Sequence, residues 1–140
     1  MPKSSFVAET LTLTHVAVLE MLLAAVAEAE RIGQPQCIVI VDASGEILGQ
    51  IRMTGAKFLS LKSARSKART AASIGAETAS IPEPVGPAIA AATGGDVTRL
   101  GGGLPIFVDD HLVGGVGVGS GSPDDDLAVA QVAIAALNQG

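Results

Sequence analysis

Between Gly101 and Asp126 the chain packs eight of its 17 glycines into 26 residues, and their placement restricts the fold more than any other feature. Three consecutive glycines precede an apolar run, a short acidic turn at Asp109-Asp110 and a second apolar run, the pattern of a loop feeding a β-hairpin. Side chains alternate along a strand, so Val116 and Val118 point one way while Gly115, Gly117 and Gly119 leave the other face as bare backbone. Glycine weakens a strand interior. A row of three on one face therefore predicts that a helix, a second subunit or a flat ligand approaches the sheet closely there. The strand runs into Ser122-Pro123-Asp124-Asp125, where Ser122 suits a helix N-cap, Pro123 the first helical position and the acids the positive end of the helix dipole.

Residues 12 to 32 read as a first helix stopped by Gly33, apolar on most faces and so expected to be covered on most sides. Cys37 to Val41 and Ile47 to Met53 form a hairpin, with Gly45 at the left-handed position of its turn. A second helix covers about 57 to 74 and closes at Gly75. The proline-bearing stretch 78 to 87 is a loop, 87 to 93 a short helix, and Val97 to Leu100 a candidate short strand. A last helix spans 123 to about 138. With no linker and no internal repeat, residues 1–140 make one domain of the α+β class, an antiparallel sheet with helices over it.

At 48% hydrophobic residues and a mean hydropathy of +0.46, the chain is apolar for its size, and some apolar surface is expected between subunits of a homo-oligomer. A net charge of −5 and the absence of Trp and Tyr argue against nucleic acid, whose binding depends on phosphate neutralisation and stacking. Glu20 and Glu28 interrupt the richest apolar segment, so no membrane span is expected. The N-terminus lacks a signal-peptide core and Cys37 is the sole cysteine, which together predict a cytoplasmic protein.

Five of the nine Lys and Arg residues fall on the second helix: Lys57, Lys62, Arg65, Lys67 and Arg69. In an acidic protein this concentration indicates either a solvated face, an acidic neighbouring subunit or an anionic small molecule. Gly101-Gly102-Gly103 lacks the lysine of a P-loop, and reads as a tight turn or as a set of backbone N–H groups able to hold a carboxylate. His15 heads an apolar stripe with Leu19, Leu22 and Val26, either as a core-edge residue or as a lone metal ligand. No spacing matches a closed zinc site.

Six segments also carry a resemblance: Leu11-Thr12-Leu13; Ile38-Val39-Ile40-Val41-Asp42 with Gly45; Arg52-Met53-Thr54-Gly55-Ala56; Lys67-Ala68-Arg69-Thr70-Ala71-Ala72; Gly102-Gly103-Leu104-Pro105-Ile106; and Gly114-Gly115-Val116-Gly117-Val118 followed by Asp126. In this order they resemble the GlcG/HbpS family, which includes the C-terminal domain of PduO-type adenosyltransferases. The resemblance implies a profilin-like fold of about five strands with helices on both faces, small-molecule binding, and homo-oligomers from dimer to octamer. Some members bind haem, and others accompany catabolic enzymes. Thr54 stands where the family has an acid, and Val118-Gly119-Ser120 where it has Val-Ser-Gly.

Three functional expectations follow. The first is binding of an anionic ligand, with haem as the cofactor the family implies, between the basic helix and the glycine loop. Arg52, Thr54, Thr70, Gly101, Gly102 and Gly103 would hold the ligand and His15 would be the axial metal ligand. The alternative is a cofactor-independent isomerase, lyase or hydratase acting on a small organic acid, with Arg52 gripping the carboxylate, the glycine amides stabilising an enolate, and Lys67 or Asp126 moving the proton. A non-catalytic accessory module is the third reading.

Overall fold

Local chemistry sets most element boundaries. The computed structural model describes residues 5–139. Thr14 accepts a hydrogen bond from the Ala17 N–H and so starts α1 (His15–Arg31) three residues later than expected. Strands β1 (Cys37–Asp42) and β2 (Ile47–Arg52) form the first hairpin. Helix α2 (Leu59–Ile74) ends at Gly75 in the left-handed conformation, and the short α3 spans Gly86–Ala92. Strands β3 (Gly103–Val108) and β4 (His111–Gly119) are joined through Asp109 and Asp110, both at positive φ as a two-residue hairpin turn requires. Ser122 accepts from the Asp125 N–H, Pro123 opens α4 (Pro123–Ala135), and three acids occupy its first turn.

The sheet has four strands in the order β2-β1-β4-β3, every pair antiparallel. The resemblance implies about five strands, but the described residues form four, and the short segment Val97 to Leu100 is not one of them. That segment is tied instead to α2, where the Thr70 hydroxyl donates to the Asp96 carbonyl and accepts from the Thr98 N–H. On one face Ile38, Ile40, Val116 and Val118 pack with Val18, Met21 and Ala25 of α1 and with Val129, Ala130 and Ala133 of α4. On the other, Cys37, Val39 and Val41 meet Ala64, Ala68 and Ala72 of α2. Helix α1 is covered on fewer sides than its composition suggests, since Val16, Leu19 and Leu23 remain 58%, 56% and 66% exposed.

The bare strip of β4 is occupied by the basic helix itself. A methyl group at Gly115 would run into the Ala68 carbonyl, one at Gly117 into the Ala64 carbonyl, and one at Gly119 would stand 2.9 Å from the Ser60 carbonyl oxygen. Backbone thus lies on backbone, with alanines filling the remaining space. Of the three neighbours expected at the glycine face it is a helix that approaches, and α2 lies so close to β4 that no guest fits between the two. Adding one methyl at the centre of this contact forces the backbones apart. Gly117→Ala should therefore lower the unfolding free energy by about 3 kcal/mol, measured by urea denaturation. A loss below about 1 kcal/mol would contradict the close seating.

In the β1–β2 turn, burial alone would raise the Asp42 carboxyl, but the Ser44 hydroxyl and the N–H groups of Glu46, Ser44 and Gly45 together hold it below its ordinary value. A carboxyl held low in the folded chain adds stability that is complete above its unfolded value near about 3.9 and is lost as pH falls through the folded one. Asp42→Asn should then show a shallower loss of stability than the parent protein between about pH 5 and pH 2. Equal slopes in urea titrations across that range would refute the assignment.

Candidate functional site

The residues singled out from the sequence fall into separate places. Arg52 ends β2, directly across from Cys37 at the start of β1, and Thr54 follows in the next turn. Both line a cavity of about 610 Å³ whose other walls include Val26, Ala29 and Glu30 of α1, Gln34, Ile51 and Met53. The lining mixes apolar side chains with the charged Glu30 and Arg52. Among the described residues Arg52 has no carboxylate within salt-bridge distance, whereas Arg31, Arg65, Lys67 and Arg69 each have one. A free guanidinium beside an apolar hollow suits a carboxylate on a largely apolar body.

Lys67 and Asp126 meet in the interior. The ammonium donates to Asp126 Oδ2 at 2.9 Å and to the Val118 carbonyl oxygen at 2.7 Å, and the two side chains are 5% and 4% exposed. Asp126 Oδ1 accepts from the Gly121 N–H. The pair joins α2 to the start of α4 across the end of β4. Gly102, at φ +115°, fits against it only because it lacks a side chain: a methyl there would lie 2.7 Å from Asp126 Cβ and 3.2 Å from Lys67 Nζ. On the far side of Gly102 is a hollow of about 160 Å³ lined by Gly101, Gly102, Gly103, Thr78, Glu77, Asp124 and Leu127. Neither the Gly101 nor the Gly102 N–H has an acceptor among the described residues.

Thr70 and His15 stand apart from both hollows. The Thr70 hydroxyl is fully engaged with Asp96 and Thr98. His15 is exposed at the first turn of α1, eleven residues before Val26, which places it about 16 Å from the Arg52 cavity along the helix axis. Among the described residues, no three His, Cys, Asp or Glu side chains gather to hold a metal.

Other residues of this end of the sheet gave little sign of themselves in the sequence. Thr78 donates to the Leu100 carbonyl and accepts from the Gly103 N–H, bracing the glycine loop. Gln36 is fully buried with neither amide atom hydrogen-bonded; its nitrogen and Asp126 Oδ1 lie 2.7 and 3.0 Å from the point where a Gly121 side chain would begin. A polar residue between Pro35 and the apolar run of β1 was the available signal. Cys37 is buried, and that burial pushes its thiol above the ordinary value despite the opposing charge of Arg52, with Asp126 adding to the rise. It is a neutral packing residue, not a nucleophile.

Removing one member of the buried pair leaves its partner's charge uncompensated. Lys67→Met and Asp126→Asn should each cost about 3–5 kcal/mol, and the double replacement Lys67→Met/Asp126→Asn should cost well under the sum. Additive losses in urea denaturation would mean that the two charges do not act as a pair.

Residues 13–135 match the family model described as haem degrading protein HbpS-like. The chain is 35% identical over 126 residues to corrinoid adenosyltransferase PduO of Salmonella typhimurium; the match takes in 86% of this chain and 38% of that protein. It thus spans under half the length of the curated relative. Among solved structures, the Klebsiella pneumoniae protein ORFY superposes with a TM-score of 0.89 at 26% identity, covering 95% of this chain and 96% of that one. A PduOC:haem complex superposes with a TM-score of 0.85 at 32% identity, covering 93% and 98%. No helix among the described residues is long and apolar enough to cross a membrane.

Proposed function

The chain belongs to the HbpS-like family, and from that premise we propose that it binds an anionic, largely apolar small molecule, haem foremost, in the cavity lined by Arg52 and Thr54. The observation that carries this reading is the Arg52 guanidinium, without a carboxylate within salt-bridge distance among the described residues, in the lining of a hollow that also includes Val26, Ala29, Ile51 and Met53. Arg52 and Thr54 would hold a propionate edge and the apolar lining would take the ring. Haem supplies redox chemistry when bound; the chain's own contribution is grip, orientation and exclusion of water. The solved PduOC:haem complex of a similar chain supports the choice of guest. His15 of the same copy lies too far off to ligate iron in this cavity. A second copy set against the exposed Val16, Leu19 and Leu23 would cover that apolar face, in keeping with a homo-oligomer.

Hemin titration followed by the Soret band tests this reading. Arg52→Gln should weaken binding about tenfold, the worth of one charge-assisted hydrogen bond. No spectral change with stoichiometric hemin refutes it. An unchanged affinity in Arg52→Gln together with loss of the band in His15→Ala would move the guest to the outer face of α1 and overturn the cavity assignment.

A second reading, catalysis on a small organic acid, draws on the free Gly101 and Gly102 amides beside the 160 Å³ hollow. In it Lys67 and Asp126 act from behind Gly102. Their near-complete burial ranks this reading second.

A further inference from the structure

At the opposite end of β1 from Arg52, a groove of about 640 Å³ lies between α2 and the β1–β2 turn, lined by Ala43, Ser44, Gly45, Arg69, Ser73 and Asp96 among others. Its charged groups are loosely held. Arg69 Nη2 stands 3.6 Å from Asp96 Oδ2, and Arg65, which is not part of the groove's lining, brings Nη2 only to 4.0 Å from Oδ1 of the same carboxylate. Both separations exceed hydrogen-bond length, and the Nε of Arg65 is buried without an acceptor. One carboxylate therefore faces two guanidiniums and satisfies neither. Gly45, at φ +86°, makes the turn, and a side chain on it would begin in ordinary contact with Arg69 Nε 3.4 Å away, so the guanidinium lies against the turn.

We propose that this groove is a second binding site, for a small molecule carrying a phosphate group, and that the Arg69–Asp96 contact opens to admit it. The argument is one of competing charge. A guest carboxylate would only match the one Asp96 already offers, whereas a phosphate monoester carries nearly two charges and three acceptor oxygens, enough to engage the Arg69 fork and draw Arg65 toward it. Ser73 places a hydroxyl on the same wall. Ser44 and Asp42 are engaged with each other in the turn, so Asp42 does not compete for the guanidinium. The end of α2 nearest the groove is its C-terminal half, whose dipole disfavours anions, so binding rests on Arg69, the one arginine of the lining, with Arg65 adding charge from beside Asp96. This site is independent of the Arg52 cavity and of what fills it.

The test is an amide chemical-shift titration of the whole protein with glycerol 3-phosphate, with inorganic phosphate, and with sodium acetate at matched ionic strength. Glycerol 3-phosphate should shift Ser44, Ser73 and Asp96 in a saturable way, and acetate should not. Arg69→Gln should weaken the affinity about tenfold, and Asp96→Asn, which removes the competing charge while keeping its shape, should tighten it several-fold. Inorganic phosphate binding as tightly as glycerol 3-phosphate would identify the free ion as the guest and still satisfy the proposal's phosphate chemistry. The proposal is overturned if no saturable shift appears, if acetate acts equally, if Arg69→Gln leaves affinity unchanged, or if Asp96→Asn fails to strengthen binding.

Discussion

Helix α2 rests on β4 with no side chain between them at three successive inward positions. Gly115, Gly117 and Gly119 meet the carbonyls of Ala68, Ala64 and Ser60, and this direct contact fixes how far every neighbouring group can stand from the sheet. Because α2 sits so close, Lys67 can pass beside β4, donate to the Val118 carbonyl and reach Asp126 at the start of α4. Because Lys67 and Asp126 meet there, Gly102 must be glycine, and the loop before β3 is held in its place. A dense, side-chain-free layer of this kind gains dispersion contact across its whole area, and tolerates no added volume.

The same seating decides where a ligand can and cannot go. It closes the space between the basic helix and the glycine face, and leaves room at the periphery: at the Arg52 end of β2, outside Gly102, and along the exposed edge of α2 near Arg69. Positive charge on α2 is accordingly divided. Lys67 is neutralised inside, while Arg65 and Arg69 share Asp96 at the surface. Lys62 is exposed on the same helix. Arg52, not part of that helix, lines the hollow that also holds Val26, Ala29, Ile51 and Met53.

What could be read from the sequence was what depends on near neighbours along the chain. Ser122-Pro123, the Asp109-Asp110 turn, Gly45 and Gly75 act within a few residues, and their effects were legible. The glycine alternation in β4 announced a close approach, but not that the approaching element was the basic helix. Contacts between distant segments escaped: Thr70 meets Asp96 26 residues away, Thr78 meets Leu100 22 away, and Lys67 meets Asp126 59 away. Thr70 explains why Val97 to Leu100 is not a strand, since its side chain satisfies the Asp96 carbonyl and the Thr98 N–H that a strand would have paired. The family resemblance pointed to Lys67 and Asp126 as important positions, and the structure shows them as one buried pair, a relation no local pattern contains.

Native-state hydrogen exchange tests the central contact most directly. If α2 and β4 are one unit, the amides of residues 64 to 72 and of 115 to 118 should exchange through the same opening, at the free energy of global unfolding, and respond equally to added denaturant. Exchange of the α2 amides through a smaller opening that leaves β4 protected would contradict the account, because a helix able to lift away alone could not be what sets the geometry of everything around it.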